Sequence, residues 1–525
     1  MLQAMGVGDI SLTDQTARGA QWIVTGAGVG AVLQLAFGVV LARLLTPENF
    51  GVVALAMVVL GAARPLCDLG IGNAVVQRAD LTPRHVRVAF TFTVLLGMTI
   101  AAAIALAAPI AAAVLRDADV VPVLRVLSIE FAIGGTTVVA GALLRRRMDF
   151  RRIAIIDTTT TAAGYGVVAV ALALLGYGVW SLVFGSLVHA VLASVWFFAS
   201  APHPCRPLLG ARELRELLRF GVGASVSGMV NHAALAADNF VVGRWLGASA
   251  VGVYSRAYNL MNTPNALSTT WMASVLFPAL AHAQSDPARV GRAYLAVTQL
   301  AAMFAGPAMV TLAVAAPHLL AAVYGPQWTP AAVPLQILCA AGYFRALGHL
   351  GVVVAQSVGR VYAELWRQAA YALLVLAGAL AGSRYGLPGV AAGVDGAIVF
   401  IFVALAHLAL SATGVSWLAY FRAQIPALAT AALVCAFALP VRLMLESLGC
   451  RSWVITIGVA AAAALPWTAG ALWQLGEPRF ERLRTKVPAP VVSAAHAFRR
   501  RLAAPMQSRA RYPGTDIVPK RTRVP

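Results

Sequence analysis

Nine ionisable side chains stand inside long apolar stretches: Arg64, Asp68, Glu130, Asp157, Asp238, Arg256, Arg345, His349 and Asp395. An ionised group at the centre of a membrane-spanning helix costs about 2.5 to 3.5 kcal/mol on insertion scales, so such groups face a cavity or a partner. Arg345 and Glu130 lie nearest the middle of their stretches. Arg345 and His349 are four residues apart and share one helical face, which could present two donors to a phosphate. Gln356 follows about three turns further along the same face region. For Arg64, Arg256 and Arg345 two accounts stand open: anion binding in a cavity, or structural pairing with Glu130 or Asp238. Asp238 and Glu130 could couple a proton or a sodium ion, since either would neutralise a carboxylate in one conformational state. Asp68 and Asp157 sit close to the cytoplasmic interface, where capping or topology roles are expected, and His189, His232 and His407 read as single packed histidines.

These groups need elements that can hold them in lipid. The chain has 525 residues, of which 60% are hydrophobic and only 11% charged, with a mean hydropathy of +0.78. Soluble domains carry roughly 25% charged residues, so this chain cannot bury its apolar surface against water. A span needs about 20 apolar residues to cross a hydrocarbon core roughly 30 Å thick. Fourteen such stretches are read: 17–44, 50–70, 87–114, 120–143, 153–175, 177–198, 214–242, 249–278, 290–316, 329–356, 361–382, 387–410, 423–446 and 453–475. Helices are expected in all of them, because backbone groups in lipid must find partners within the segment. The expected class is therefore an all-α integral membrane protein. Pro264, Pro278, Gly306-Pro307 and Pro440 should kink or loosen their helices.

Arginine placement sets the orientation. Alternate connections carry Arg78, Arg84 and Arg87, then Arg145 to Arg147 with Arg151 and Arg152, then Arg206, Arg212, Arg215 and Arg219, then Arg289 and Arg292, then Arg360 and Arg367, then Arg422. The intervening connections hold Arg43, Arg116, Arg244, Arg384 and Arg451 singly, or no charge, as at Gly176 to Gly178. By the positive-inside rule the arginine-rich side is cytoplasmic, and an even number of spans puts both termini there.

A repeat appears at an offset of 201 residues, where Ala42 to Val53 aligns with Gly243 to Tyr254. Both stretches join an odd span to the next even one, six spans apart, which implies two halves of the same orientation related by an axis along the membrane normal. The expected organisation is a cytoplasmic N-terminus (1–16), an N-lobe of six spans (17–198), a cytoplasmic linker (199–213), a C-lobe of six spans (214–410), two added spans (411–475) and a basic cytoplasmic tail (476–525). The tail's arginines and lysines would be drawn to anionic headgroups or would simply reinforce topology.

Several chemistries are disfavoured. The net charge of +20 is divided among loops between apolar spans rather than gathered on one face, which argues against nucleic-acid binding. The five cysteines, Cys67, Cys205, Cys339, Cys435 and Cys450, lack metal-ligand spacing and read as packing residues. No phosphate loop, nucleophile elbow or His/Glu metal motif is present, the outer connections are short, and neither a cofactor nor an enzymatic activity is expected.

The run Leu41-Ala42-Arg43-Leu44-Leu45-Thr46-Pro47-Glu48-Asn49-Phe50-Gly51-Val52-Val53-Ala54-Leu55 followed by Asp68-Leu69-Gly70-Ile71-Gly72 resembles polysaccharide-exporting flippases of the Wzx type, in the branch that includes colanic acid exporters. Further matching runs follow in order at 143–152, 176–180, 238–244, 252–260, 275–280 and 323–328. The resemblance covers about 17–410. It implies membership of the multidrug, oligosaccharidyl-lipid and polysaccharide exporter superfamily, with two six-helix lobes around a cationic cavity plus two helices. It further implies transfer of undecaprenyl-diphosphate-linked oligosaccharide from the cytoplasmic to the periplasmic leaflet of a bacterial inner membrane. A proton or sodium gradient would supply the energy, and a polysaccharide polymerase and chain-length proteins would act downstream. Arg64, Arg256 and Arg345, with His349, are then candidates for the diphosphate and sugar, chosen by depth. A drug or metabolite antiporter of the same superfamily, or a membrane enzyme of glycan assembly, are the competing readings.

Overall fold

A computed structural model describes residues 12–78, 80–281, 286–357 and 361–475. The basic tail and Arg360 lie outside the described residues, and the N-terminal segment is described only from Leu12. In chain order the helices are α1 Leu12–Leu44, α2 Pro47–Asp68, α3 Ile71–Gln77, α4 Pro83–Leu115, α5 Val120–Leu127 and α6 Ile129–Arg146. They continue with α7 Phe150–Thr161, a π-helical segment Ala162–Ala169, α8 Val170–Leu174, α9 Val179–Ser200, α10 Ala211–Leu246 and α11 Ala248–Ala281. Next come α12 Pro287–Val323, a 3-10 turn Pro326–Ala331, α13 Ala332–Ser357, α14 Val361–Ser383, α15 Gly386–Thr413, α16 Trp417–Ser447 and α17 Ser452–Leu475. No strand occurs among the described residues.

Helix covers most of each expected stretch, with turns at residues 69–70, at Ser128 and at residues 175–178. Ten helical segments among the described residues are long and apolar enough to cross a membrane, which makes this a multi-pass membrane protein. α1 contributes a shorter apolar helix, Gly28–Leu44, and α10, α11 and α14 are not among the ten. Those three carry polar groups inside the bundle, including Asp238, Arg256, Asn259 and Arg367.

Local chemistry sets the helix ends. Thr46 caps α2 by accepting from the Asn49 amide, with Pro47 in the first turn, where a missing N–H costs nothing. Thr82 and His85 form a reciprocal capping box at the start of α4. The second expected span ends in a turn at Leu69 and Gly70, both at positive φ, beyond which α3 begins, and the Asp68 carboxylate accepts from the Gly72 amide at 2.6 Å. Asp68 thus performs the capping its position suggested.

The two repeated turns meet each other. Gly51 at the start of α2 lies so close to Ala248 that a Cβ there would collide with the Ala248 carbonyl oxygen. Gly252 at the start of α11 lies equally close to the Pro47 carbonyl oxygen. Gly51 and Gly252 are 201 residues apart, as are Pro47 and Ala248, so each half offers the other the same contact. A self-complementary contact of this kind is what a local two-fold relation between repeats produces. It also requires glycine, since only a residue without a side chain lets two backbones approach this closely.

Further contacts close the same end of the bundle. The Trp328 indole N–H donates to the Ala42 carbonyl at 2.8 Å, and Gln327 donates to the same oxygen at 3.1 Å. Arg43 donates from Nε to the Val323 carbonyl at 2.8 Å and from its guanidinium to the Ala322 carbonyl. That places a cation at the C-terminal end of α12, where unpaired carbonyls and the helix dipole favour it. At the opposite, arginine-rich end, α10 is tied to the α3–α4 region by Arg78–Glu216 (2.7 Å), Arg84–Glu213 (2.6 Å) and His85–Glu216 (3.2 Å). α16 and α17 pack on each other and on α12.

Candidate functional site

Between these two ends lies a cavity of about 920 Å³. Its wall is drawn from α1, α2, α6, the α7–α8 region with its π segment, α9 and α11. Three of the candidate residues meet there: Arg64 from α2, Glu130 from α6 and Arg256 from α11. Arg64 Nη2 lies 3.9 Å from Glu130 Oε2, a loose pair, and the Arg64 side chain remains 66% exposed. The guanidinium is therefore available to a second anion. Oε1 of Glu130 has no hydrogen-bond partner.

Arg256 is held differently. Its guanidinium lies 3.9 Å from the centroid of Phe50 and within 5.9 Å of the rings of Tyr324 and Trp328. Cation–π contact with three rings fixes the head without neutralising it. Phe50 comes from the first repeat and Tyr324 and Trp328 from the turn after α12, so Arg256 sits at the closed end of the cavity where the two halves touch. The two open accounts of the buried arginines both find a place here: Arg64 faces the cavity and pairs weakly with Glu130, while Arg256 faces the cavity with an aromatic bed in place of an acid.

Arg345, His349 and Asp238 do not line this cavity. Asp238 on α10 is buried, and its carboxylate accepts from the Tyr254 hydroxyl at 3.0 Å and from the Asn239 amide at 2.7 Å. The Arg345 guanidinium lies 5.4 Å from the Tyr258 ring centroid and within electrostatic reach of Asp238 and Tyr371. These residues form a second charged cluster among α10, α11, α13 and α14. His349, one turn beyond Arg345 on α13, is exposed.

A family model described as "Polysaccharide biosynthesis protein" matches residues 40–333, more than half of the chain and including every wall of the cavity except the part of α1 before Leu41. The chain belongs to this polysaccharide biosynthesis family. Among its relatives are the lipopolysaccharide biosynthesis protein WzxC of Escherichia coli K12 and the succinoglycan biosynthesis transport protein ExoT of Rhizobium meliloti. WzxC is 26% identical over 346 residues, covering 65% of this chain and 69% of WzxC. ExoT is 27% identical over 384 residues, covering 73% of this chain and 75% of ExoT. In fold the family member is similar to the lipid II flippase MurJ in an inward closed conformation, with a TM-score of 0.71 at 12% identity over 86% of this chain and 98% of that one. It also resembles a multidrug resistance MATE family transporter of the MOP superfamily, with a TM-score of 0.60 at 19% identity over 75% and 95% of the two chains. The multi-helix membrane architecture expected from the resemblance holds, and its fold is that of these solved structures.

Besides Arg345 and His349, which lie outside the cavity, one further residue of this polysaccharide biosynthesis protein is placed differently from its reading in the sequence. His189 was expected to be a satisfied core histidine, but its ring lines the cavity and its Nδ1 has no hydrogen-bond partner. Tyr165, which carried no signal in the sequence, lines the same wall 5.9 Å from the His189 ring. His232 presses against Gly61 and lines a smaller neighbouring cavity of about 310 Å³, and His407 stacks on Trp417 at an exposed position.

Proposed function

We propose that the protein moves an oligosaccharide linked to undecaprenyl diphosphate from the cytoplasmic to the periplasmic leaflet for polysaccharide biosynthesis. The observation that carries this reading is the cavity lined by Arg64 and Arg256 inside a bundle of apolar helices. A sugar-diphosphate head is too polar to enter hydrocarbon, where unpaired polar groups cost several kcal/mol each, on the order of 4 to 8 in an apolar solvent. Guanidinium groups replace its water with charge-assisted hydrogen bonds, while a polyprenyl tail can remain among lipid tails.

The two repeat halves act as lobes, residues 17–198 and 214–410, rocking about the cavity, with α16 and α17 as an addition to the second. The Gly51–Gly252 contact, the Trp328 and Gln327 bonds to Ala42 and the Arg43 cap are the outer closure that must part for release. Arginine distribution supports placement in a bacterial inner membrane with both termini cytoplasmic. Glu130 beside Arg64, and Asp238 near Arg345, are the carboxylates through which a proton or sodium ion would act. Arg345 and His349 then serve the second cluster rather than the diphosphate. A polymerase and chain-length proteins would take the product.

Reconstitution into vesicles with a labelled lipid-linked oligosaccharide tests the reading by scoring label in the opposite leaflet. Transfer that requires Arg64 and Arg256 supports it. Protection of cells from cationic dyes without any lipid transfer would identify an antiporter instead.

A further inference from the structure

The charged and uncharged parts of the cavity wall come from different helices. Arg64, Glu130 and Arg256 belong to α2, α6 and α11, whereas the face built by the α7–α8 region and α9 presents Thr161, Tyr165, Ser186 and His189, with no acidic or basic side chain beyond the imidazole. Gln34 of α1 and Thr137 of α6 flank that face. We infer that this face is a carbohydrate subsite, in which Tyr165 of the π-helical segment and His189 of α9 receive a sugar ring of the lipid-linked headgroup while the arginines hold its diphosphate. The inference rests on the flippase reading and specifies which side of the cavity reads the glycan.

Local geometry makes the subsite. The segment Ala162–Ala169 is π-helical between two α-helical stretches. Such segments are rare, widen the turn, and occur frequently at functional sites. Here the π-helical turns leave Thr161 and Tyr165, four residues apart, both on the cavity wall. The same segment packs backbone to backbone on α9: a Cβ at Gly164 would stand 2.5 Å from the Gly185 carbonyl oxygen and 2.7 Å from His189 Cβ. That approach brings the His189 ring to a centroid distance of 5.9 Å from Tyr165, tilted by 40°. Two flat rings at an angle form a concave corner rather than a flat stack.

The chemistry of the corner suits a sugar. A pyranose presents apolar C–H patches on its faces and hydroxyls around its rim, so it is matched by an aromatic face beside neutral donors and acceptors. Tyr165 supplies the ring, and Thr161 and the imidazole supply polar groups. The Nδ1 of His189 is buried without a hydrogen-bond partner, in contrast with a core histidine, whose ring nitrogens are normally paired. An anion would not select this face, because its only potential cation is the imidazole. A free lipid tail would not select it either, since its polar groups would be left unpaired.

The purified full-length protein in detergent micelles can be titrated with undecaprenyl diphosphate and with the same lipid carrying glucose or N-acetylglucosamine, and binding read by native mass spectrometry. The expected result is tighter binding of a sugar-bearing lipid. Tyr165→Ala should remove that gain, about five- to tenfold, and leave the bare diphosphate lipid unchanged, because only the stacking and its neighbouring hydrogen bonds are lost. Tyr165→Phe should retain most of the gain, and His189→Asn should lose part of it, which keeps the test open if the alanine variant does not fold. Arg64→Gln should weaken both lipids. Equal binding of sugar-bearing and bare lipid by the wild type, or a proportionate loss of both in the Tyr165 and His189 variants, would overturn the subsite. Failure of the wild type to bind any diphosphate lipid would overturn the flippase reading itself.

Discussion

A single methyl group at Gly252 should unseat the contact proposed as the outer closure. In the closed arrangement the added carbon would run into the Pro47 carbonyl oxygen, a backbone atom that cannot rotate aside. Overpacking of this kind costs about 1 to 3 kcal/mol. The cost applies only while α2 and α11 are in contact, so Gly252→Ala should shift the ratio of closed to open molecules by about 5- to 150-fold. Gly51→Ala should act in the same direction, because its new carbon meets the Ala248 carbonyl in the reciprocal contact. Glu48 and Ser249 are exposed residues next to Pro47 and Ala248 and are themselves 201 residues apart, so cysteines placed there report the closure. With Cys67, Cys205, Cys339, Cys435 and Cys450 replaced by serine, the yield of a short bismaleimide bridge between Glu48→Cys and Ser249→Cys measures the closed fraction. A fall in yield is expected for either glycine variant in proteoliposomes. Unchanged yield in both would show that the closure tolerates the methyl groups, and the reasoning from backbone contact would be wrong.

Other perturbations probe the charged groups. Arg64→Gln and Arg256→Gln should each weaken binding of a diphosphate lipid by about ten- to a hundredfold, the range for hydrogen bonds to charged groups, with lysine restoring part of the loss at Arg64; isothermal titration that finds wild-type affinity would remove either arginine from the site. Trp328→Phe keeps the ring beside Arg256 but deletes the N–H bond to Ala42, and a loss of about 1 kcal/mol should lower the same cross-linking ratio about fivefold. Glu130→Gln should abolish the sensitivity of vesicle transport to an uncoupler, and retention of wild-type transport with the wild-type response would exclude Glu130 from coupling. Asp238→Asn removes the acid near Arg345 while keeping a partner for the Tyr254 hydroxyl, so a coupling role predicts lost gradient dependence with little change in thermal unfolding of the purified protein.

Much of the architecture was legible because its signals are local. Apolar stretches of the right length, capping residues such as Thr46 and Thr82, and arginines alternating between connections can each be read from a short window. The 201-residue repeat was legible as well, although its physical meaning, two glycines each opening room for the other half's backbone, appears only when the turns are seen in contact. Ten of the spans are marked by length and hydropathy among the described residues.

By itself the sequence determined that this is a polytopic helical membrane protein, built from a repeat and carrying arginines and carboxylates at depths where lipid forbids them. Which of those groups share a cavity was decided by tertiary packing alone. In helices apolar on nearly every face, a 3.6-residue period does not say how each helix is rotated about its axis. Rotation is set by where glycines let backbones meet, and it sent Arg64, Glu130 and Arg256 to one chamber and Arg345 to the side of Asp238. Packing of Gly164 in the π-helical segment against α9 likewise brought Tyr165 and His189, unremarkable as letters in an apolar run, together on the wall.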